Sequence, residues 1–570
     1  MSVTRLCLFG LLAAVFTLEA APDIFPLKDI RAGQRGVGRT VFAGARVDEF
    51  QVEVLGVLEN IGPRESIILA KLSGGPLAET GVMQGMSGSP VYINGKLVGA
   101  VALSFPYSKE AIAGIRPIED MLRKDPASQV AEPARVLAER QSFDTGGTRL
   151  EEIATPVSFM GFSAATLEHF APALRKFGLD PRQGLSGGGR PNEQTLGDPR
   201  QLEPGSMISV QLVSGDMSVG ADGTITAIDG EKVYAFGHRF LAEGSTNLPF
   251  ARAEVLALLP NVSSSFKIST AREWMGTINL DHDSAIAGLT GRRANLIPVE
   301  IKVGANTYQL RMVNDRVMSP LLLQMAIFSA IDTSERVLGP QTYAVRGHLD
   351  FDSGVVQVND VYSGDIAVAQ QVAANVASPV QFALQSGIET LTLRNISLEI
   401  APVERRNQRQ IVDLLAPRRA RPGEDVELTV VFSGANGVES SEKLRYQIPL
   451  GAPAGTWNFT VADATLTNIM EYQAAVGTPQ RSPRQVLELL NGLRSNKRAY
   501  IRVWRAEPAY TVEGRDLPAP PPSLALILTR AQAGAPLQVN TRGAKMAELA
   551  TAETPVIVSG TKNIQIEVKE

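Results

Sequence analysis

Residues 80–101, TGVMQGMSGSPVYINGKLVGAV, carry the reading of the fold. The second half is apolar on either side of Asn94-Gly95, the dipeptide that best accepts the positive φ angles of a tight hairpin. Residues 90–103 therefore read as two antiparallel strands. The first half crowds glycines around a serine, Gly85-Met86-Ser87-Gly88-Ser89-Pro90. A serine nucleophile needs a tight turn with backbone N–H groups aimed at the oxygen that gains charge during attack. Flanking glycines let the backbone approach a substrate without a Cβ clash, and a following proline stiffens the turn. The other reading of the same residues is a plain glycine turn, and the two readings part at whether a base exists elsewhere.

Residues 233–238, VYAFGH, offer that base. His238 ends a strand that follows a second hairpin signal, Asp229-Gly230. An imidazole titrating near neutrality suits the task of taking the serine proton and returning it to a leaving amine. Taken alone, a histidine at a strand end is more often structural than catalytic.

Outward from these two segments the chain is β-rich. It has 570 residues, enough for three or four domains at roughly 150 residues each. Residues 50–54 alternate Phe50, Val52 and Val54 with polar neighbours, the period of a half-buried strand, and residues 65–72, ESIILAKL, form another. Short apolar runs between turn signals recur through 51 glycines and 35 prolines. Helix patterns stand out at 164–178, AATLEHFAPALRKFG, with Gly178 as the stop, at 319–335, and at 482–496, where Ser482-Pro483 supplies the start.

The pattern divides the chain into a signal peptide (1–20) and a serine-bearing β-barrel half (27–125), followed by a helical and Gly-rich connector (126–202). A histidine-bearing β-barrel half (203–345) comes next, then a β-rich extension (346–404), a β-sandwich-like module (405–470) and an α+β C-terminal region (471–570). The signal peptide rests on Arg5, the apolar run from Leu6 to Leu18, and small residues for cleavage near Ala20 or Ala21. The arginines between 405 and 421 read as a solvated junction.

Composition narrows the chemistry. A net charge of -4, from 55 Lys+Arg against 59 Asp+Glu, argues against nucleic acid as the main partner. The only cysteine, Cys7, lies in the signal segment, so a mature chain has no thiol nucleophile and no internal disulfide. His169, His238, His282 and His348 are scattered without metal-ligand spacing, so no metal and no cofactor is expected. No other apolar stretch reaches membrane-spanning length, so no integral span is expected once the signal is removed. Oligomeric state has no signature in the sequence.

The two motifs together carry a resemblance. Gly85–Pro90 is similar to the G-x-S-G-[GS]-P pattern around the nucleophile of trypsin-like peptidases. The whole of 80–101 resembles the serine segment of the SpoIVB-type sporulation peptidases, serine endopeptidases with a chymotrypsin-like fold. Residues 223–240, GTITAIDGEKVYAFGHRF, are similar to that family's histidine segment, and residues 266–291 to the stretch after that segment. The similar parts cover roughly 30–120 and 205–305. The resemblance implies a mainly β, two-barrel peptidase domain, with Ser87 as nucleophile and His238 as base. Two departures accompany it. The family places its histidine segment before its serine segment, whereas Ser87 precedes His238 here, a permuted order. The family also carries an acid shortly before the serine, where residues 69–81, LAKLSGGPLAETG, offer only Glu79.

The carboxylate that would orient His238 is sought among Asp281, Asp283 and Asp216, with Asp281 first and a dyad without any acid as the alternative. The backbone N–H groups of Gly85 and Ser87 would form the oxyanion hole. The resulting reading is an exported serine endopeptidase acting on protein or peptide substrates. The alternative is a catalytically inactive homologue serving as an envelope binding or scaffold protein. A third, a carbohydrate-binding envelope protein, would need exposed aromatics such as Tyr446 and Trp457 on one sandwich face.

Overall fold

The computed structural model describes residues 22–569 apart from 63–64, 124–140, 145–148, 185–194, 242–243, 335–340, 365, 404–407, 435–436, 477–481, 507–508, 513–514, 518–520, 522, 525, 528–536 and 541–544. The signal-peptide reading, part of the helical and Gly-rich connector (126–140, 145–148 and 185–194) and part of the Pro-rich stretch near 520 lie outside the described residues. The chain forms two compact units. One comprises Met1–Ser158, Ala171–Leu212 and Gly220–Ala294; the other comprises Phe159–Phe170, Val213–Val219 and Asn295–Glu570.

The first unit holds two closed antiparallel rings. Strands β1 (Arg35–Ala43), β2 (Arg46–Gly62), β3 (Glu65–Ser73), β4 (Pro90–Ile93), β5 (Lys96–Ser104) and β6 (Ile112–Pro117) pair in the order β4-β1-β2-β3-β6-β5, and β5 returns to β4. The alternation read in the sequence places Phe50, Val52 and Val54 of β2 inside, with Ile68, Ala70, Val91, Val101, Ala113 and Ile115. Asn94 (φ 51°) and Gly95 (φ 77°) make the β4–β5 turn as the sequence requires. A one-turn helix, Ile118–Met121, follows Pro117.

The second ring uses β7 (Met207–Gly215), β8 (Ser218–Asp229), β9 (Lys232–Ala235), β10 (Gly244–Leu259), β11 (Phe266–His282) and β12 (Ala285–Thr290). These pair β8-β9-β12-β11-β10-β7, and β7 returns to β8. The hairpin β8–β9 turns at Gly230, the expected position. The long hairpin β10–β11 is bulged at four places along its register, which curves it around the ring. Ile225, Val233, Ala235, Phe250, Met275, Ile278 and Ile286 are buried. The architecture is mainly β with two six-stranded rings, the chymotrypsin-like plan that the resemblance implies.

The second unit contains a sheet of Leu296–Val303, Asn306–Val313, Gln341–Phe351, Gly354–Gly364 and Leu393–Pro402, against which the helices Met318–Ser334 and Val368–Gln385 pack. A sandwich comes after it. A four-stranded sheet around Asp425–Gly434 and a five-stranded sheet around Gly455–Ala462 share one core, which includes Val430, Phe432, Trp457, Phe459 and Ile566. C-terminal strands, among them Tyr500–Trp504 and Thr561–Val568, complete it.

Two sequence readings change here. Trp457 is wholly buried and its indole N–H donates to the Pro453 carbonyl (3.2 Å), so it is core and no carbohydrate platform. Arg409 lies over the Phe432 ring (4.0 Å) and pairs with Glu442 (2.6 Å), so it belongs to the sandwich rather than to a solvated junction.

Candidate active site

The serine turn leaves the first ring just before β4 and is held chiefly by the second. The Gly85 carbonyl accepts the Thr224 hydroxyl (2.9 Å), the Ser87 carbonyl accepts the Thr224 N–H (2.9 Å), and the Gly88 carbonyl accepts the Thr226 hydroxyl (2.7 Å). On its other side, the Gly88 N–H donates to the Val101 carbonyl of β5 (2.8 Å). The glycines are obligatory. Gly88 has φ +93°, and a Cβ there would lie 2.0 Å from the Thr224 oxygen and 2.5 Å from the Phe236 nitrogen. Gly85 has φ +91° and faces the Lys267 side chain.

The turn therefore sits against the Phe236–Gly237 backbone that leads to His238. A Cβ on Gly237 would in turn lie 3.1 Å from that of Ala100 on β5. The fold thus brings together the two segments that the sequence reading paired. The two functional groups are not hydrogen-bonded. Ser87 is 0 % exposed, and its hydroxyl, expected on an exposed turn, makes no hydrogen bond among the described residues. Burial comes from the tight stitching of the turn between the two rings. Among the described residues the N–H groups of Gly85 and Ser87 also donate to no acceptor, whereas those of Met86, Gly88 and Ser89 do.

His238 is 2 % exposed and its Nδ1 stands 2.7 Å from the Arg239 carbonyl. A carbonyl only accepts, so Nδ1 carries a proton and donates it there. His238 lines a small recess with Glu152, Thr155, Phe177, Arg239 and Phe240.

Asp281 is buried, and its two oxygens accept the N–H groups of Phe240 (2.8 Å) and Leu241 (2.6 Å). It grips the loop that begins at His238, while the Nδ1 contact goes to Arg239. Of the other carboxylates considered, Asp216 accepts the Gln309 N–H (2.7 Å) within the second unit. Asp283 is exposed in the β11–β12 turn, where His282 Nδ1 accepts the Ser284 N–H (3.3 Å). His169 stacks on Phe328 with ring centroids 5.7 Å apart and meets Gln370 (3.1 Å), and His348 lies 3.5 Å from Asp350.

Sequence reasoning missed a buried glutamate and a buried lysine with its neighbouring aspartate. Glu152 ends a short strand, Arg149–Glu152, that pairs with β5. Burial pushes its carboxyl up, opposed by Arg239 at 3.8 Å and Arg116 at 3.7 Å. It thereby anchors the side chain of the residue whose carbonyl faces His238. The other is Lys267 on β11, buried with Asp222 of β8. A period-2 count along β11 would have put Lys267 in phase with the inward Ser269, a cation on a buried face.

Two closed rings, with a glycine-bound serine turn on one and a histidine at a strand end on the other, make a two-barrel domain. Residues 4–122 match the SpoIVB peptidase S55 family. The match covers the serine ring and ends before the histidine. No curated protein and no solved structure matches the chain.

Proposed function

We propose that the protein is an exported serine endopeptidase in which Ser87 attacks a peptide carbonyl. His238 Nε2 takes the serine proton and returns it to the leaving amine, and the Gly85 and Ser87 N–H groups hold the oxyanion. Asp281 and Glu152 act as positioning groups that fix the loop after His238. The substrate is a protein or peptide, no cofactor takes part, and the working place is the periplasm, envelope or medium. The observation that carries this reading is that, among the described residues, the N–H groups of Gly85 and Ser87 donate to no acceptor. Buried backbone donors are nearly always paired, and two orphans flanking a serine in a peptidase-family segment fit an anion that arrives during the reaction.

Attack requires the buried hydroxyl to be uncovered and to meet the imidazole, so substrate binding has to open the turn. The alternative, an inactive homologue serving as an envelope binding or scaffold protein, is favoured by one observation: Ser87 is wholly buried and not bonded to the ring. A fluorophosphonate probe separates the two. The endopeptidase labels at Ser87, and labelling disappears in Ser87→Ala and in His238→Ala; a scaffold leaves the folded wild type unlabelled.

A further inference from the structure

The bonding of the serine turn shows a support that its own residues do not supply. Gln84 is clamped on both sides by the start of β11 and the residue before it: its N–H donates to the Ser265 carbonyl (2.9 Å) and its carbonyl accepts the Lys267 N–H (3.2 Å). The Lys267 side chain then runs under Gly85. A Cβ on Gly85 would lie 3.2 Å from Lys267 Cδ and 3.4 Å from its Cβ, so the aliphatic stem fills the space beneath the turn. The ammonium ends inside the protein on the Thr40 hydroxyl of β1 (2.7 Å), in the other ring.

Asp222 answers that charge from β8, two residues before Thr224, which holds the Gly85 and Ser87 carbonyls. The Asp222 carboxylate accepts the hydroxyls of Ser269 on β11 and Ser209 on β7. Lys267 and Asp222 are 2 % and 4 % exposed.

We infer that Lys267, with the buried charge of Asp222 acting on it, is the positioning residue that holds the serine turn in its reactive shape by tying β11 to β1 beneath Gly85. This rests on the peptidase reading for its catalytic readout only. Leaving a cation buried in this place is costly, and a packed apolar pair would fill the volume more cheaply. Burial lowers Lys267 to about 7 and raises Asp222 to about 6. Among the described residues each is the only charged group acting on the other; Thr40, Ser209 and Ser269 face them from β1, β7 and β11 and do not titrate in this range. The support under the turn therefore changes charge close to neutrality.

The test is the double variant Lys267→Met/Asp222→Asn, which keeps both shapes and removes both charges. Two readouts are taken: the rate of fluorophosphonate labelling at Ser87, and amide exchange of residues 82–90 across pH. In the folded double variant, labelling slows by about tenfold and exchange of 82–90 quickens by about tenfold, as expected of a local opening. The exchange of 82–90, corrected for the intrinsic amide rate, loses its step between about pH 6 and 7. Thr40→Val, which removes only the hydroxyl that Lys267 bonds, moves both readouts in the same direction and serves if the double variant does not fold. A variant with wild-type exchange and a wild-type pH profile overturns the inference. If the wild type never labels, the peptidase reading fails by itself, and the exchange of 82–90 still decides the role of Lys267.

Discussion

Replacing Ser87 by alanine should remove activity and yet stabilise the protein. The hydroxyl is buried and makes no hydrogen bond among the described residues. A buried polar group left unsatisfied costs about 1–3 kcal/mol. Its removal leaves an oxygen-sized void of roughly 15 Å3, a cost of about 0.4 kcal/mol at roughly 24 cal/mol per Å3. The net expectation is a gain on the order of 1 kcal/mol. Ser265→Ala is the matched contrast. Its hydroxyl donates to the Thr80 carbonyl (2.6 Å) and accepts the Asn261 N–H (3.1 Å), so both partners would be orphaned. That variant should lose about 1–3 kcal/mol. Because the chain has two compact units, one global transition is the wrong measure. Hydrogen exchange of peptides within 82–104, tracked through a urea series, reports the serine ring alone. If Ser87→Ala opens that segment at lower urea, as Ser265→Ala does, the hydroxyl is bonded in solution and the picture of a held, partnerless nucleophile is wrong.

The same geometry sets three further outcomes. Gly88→Ala puts a Cβ 2.0 Å from the Thr224 oxygen at φ +93°. It should cost about 3–5 kcal/mol from backbone strain and lost turn bonds, read as early urea opening of 82–104. Asp281→Ala orphans the Phe240 and Leu241 N–H groups; exchange at 238–241 should rise, and Ser87 labelling should fall by about tenfold or more with little change in exchange of the sandwich. For pH, the raised Asp222 and the lowered Lys267 act in opposite windows. Asp222 holds its proton more tightly folded than unfolded, so stability falls as pH climbs from about 4 to about 6; Lys267 holds its proton less tightly, so stability recovers above about 7. The wild type minus the uncharged double variant should therefore show a minimum near pH 6–7 in the urea concentration at which residues 82–104 open to exchange. A flat difference would mean that the pair is solvated.

The parts of the fold legible in the sequence were those set by local chemistry. Asn94-Gly95 and the turn at Gly230 formed hairpins as read, because a tight turn is decided by the residues in it. The serine turn was legible for the same reason. The hairpin of β10 and β11 was harder. Residues 244–259 carry Pro249 inside a strand, and four bulges break the alternation a reader counts. The carboxylate beside the histidine loop could be named from sequence but not its contacts, since Asp281 reaches residues 40 positions away. Glu152, Lys267 and Asp222 went unread because a lone charge in a strand usually faces water, and only the closing of the rings shows that these do not.

The rings have one more consequence, for how the chain behaves among its neighbours. A strand cycle that returns to its start exposes no row of unpaired backbone groups, so a second molecule finds nothing there to extend. The sandwich does end on an open strand, Glu439–Gln447. That strand reads ESSEKLRYQ, with Glu439, Glu442, Lys443 and Arg445 along it. Such a charged border is a poor template for stacking, and crowded copies of this molecule should resist fibril-like association along that edge.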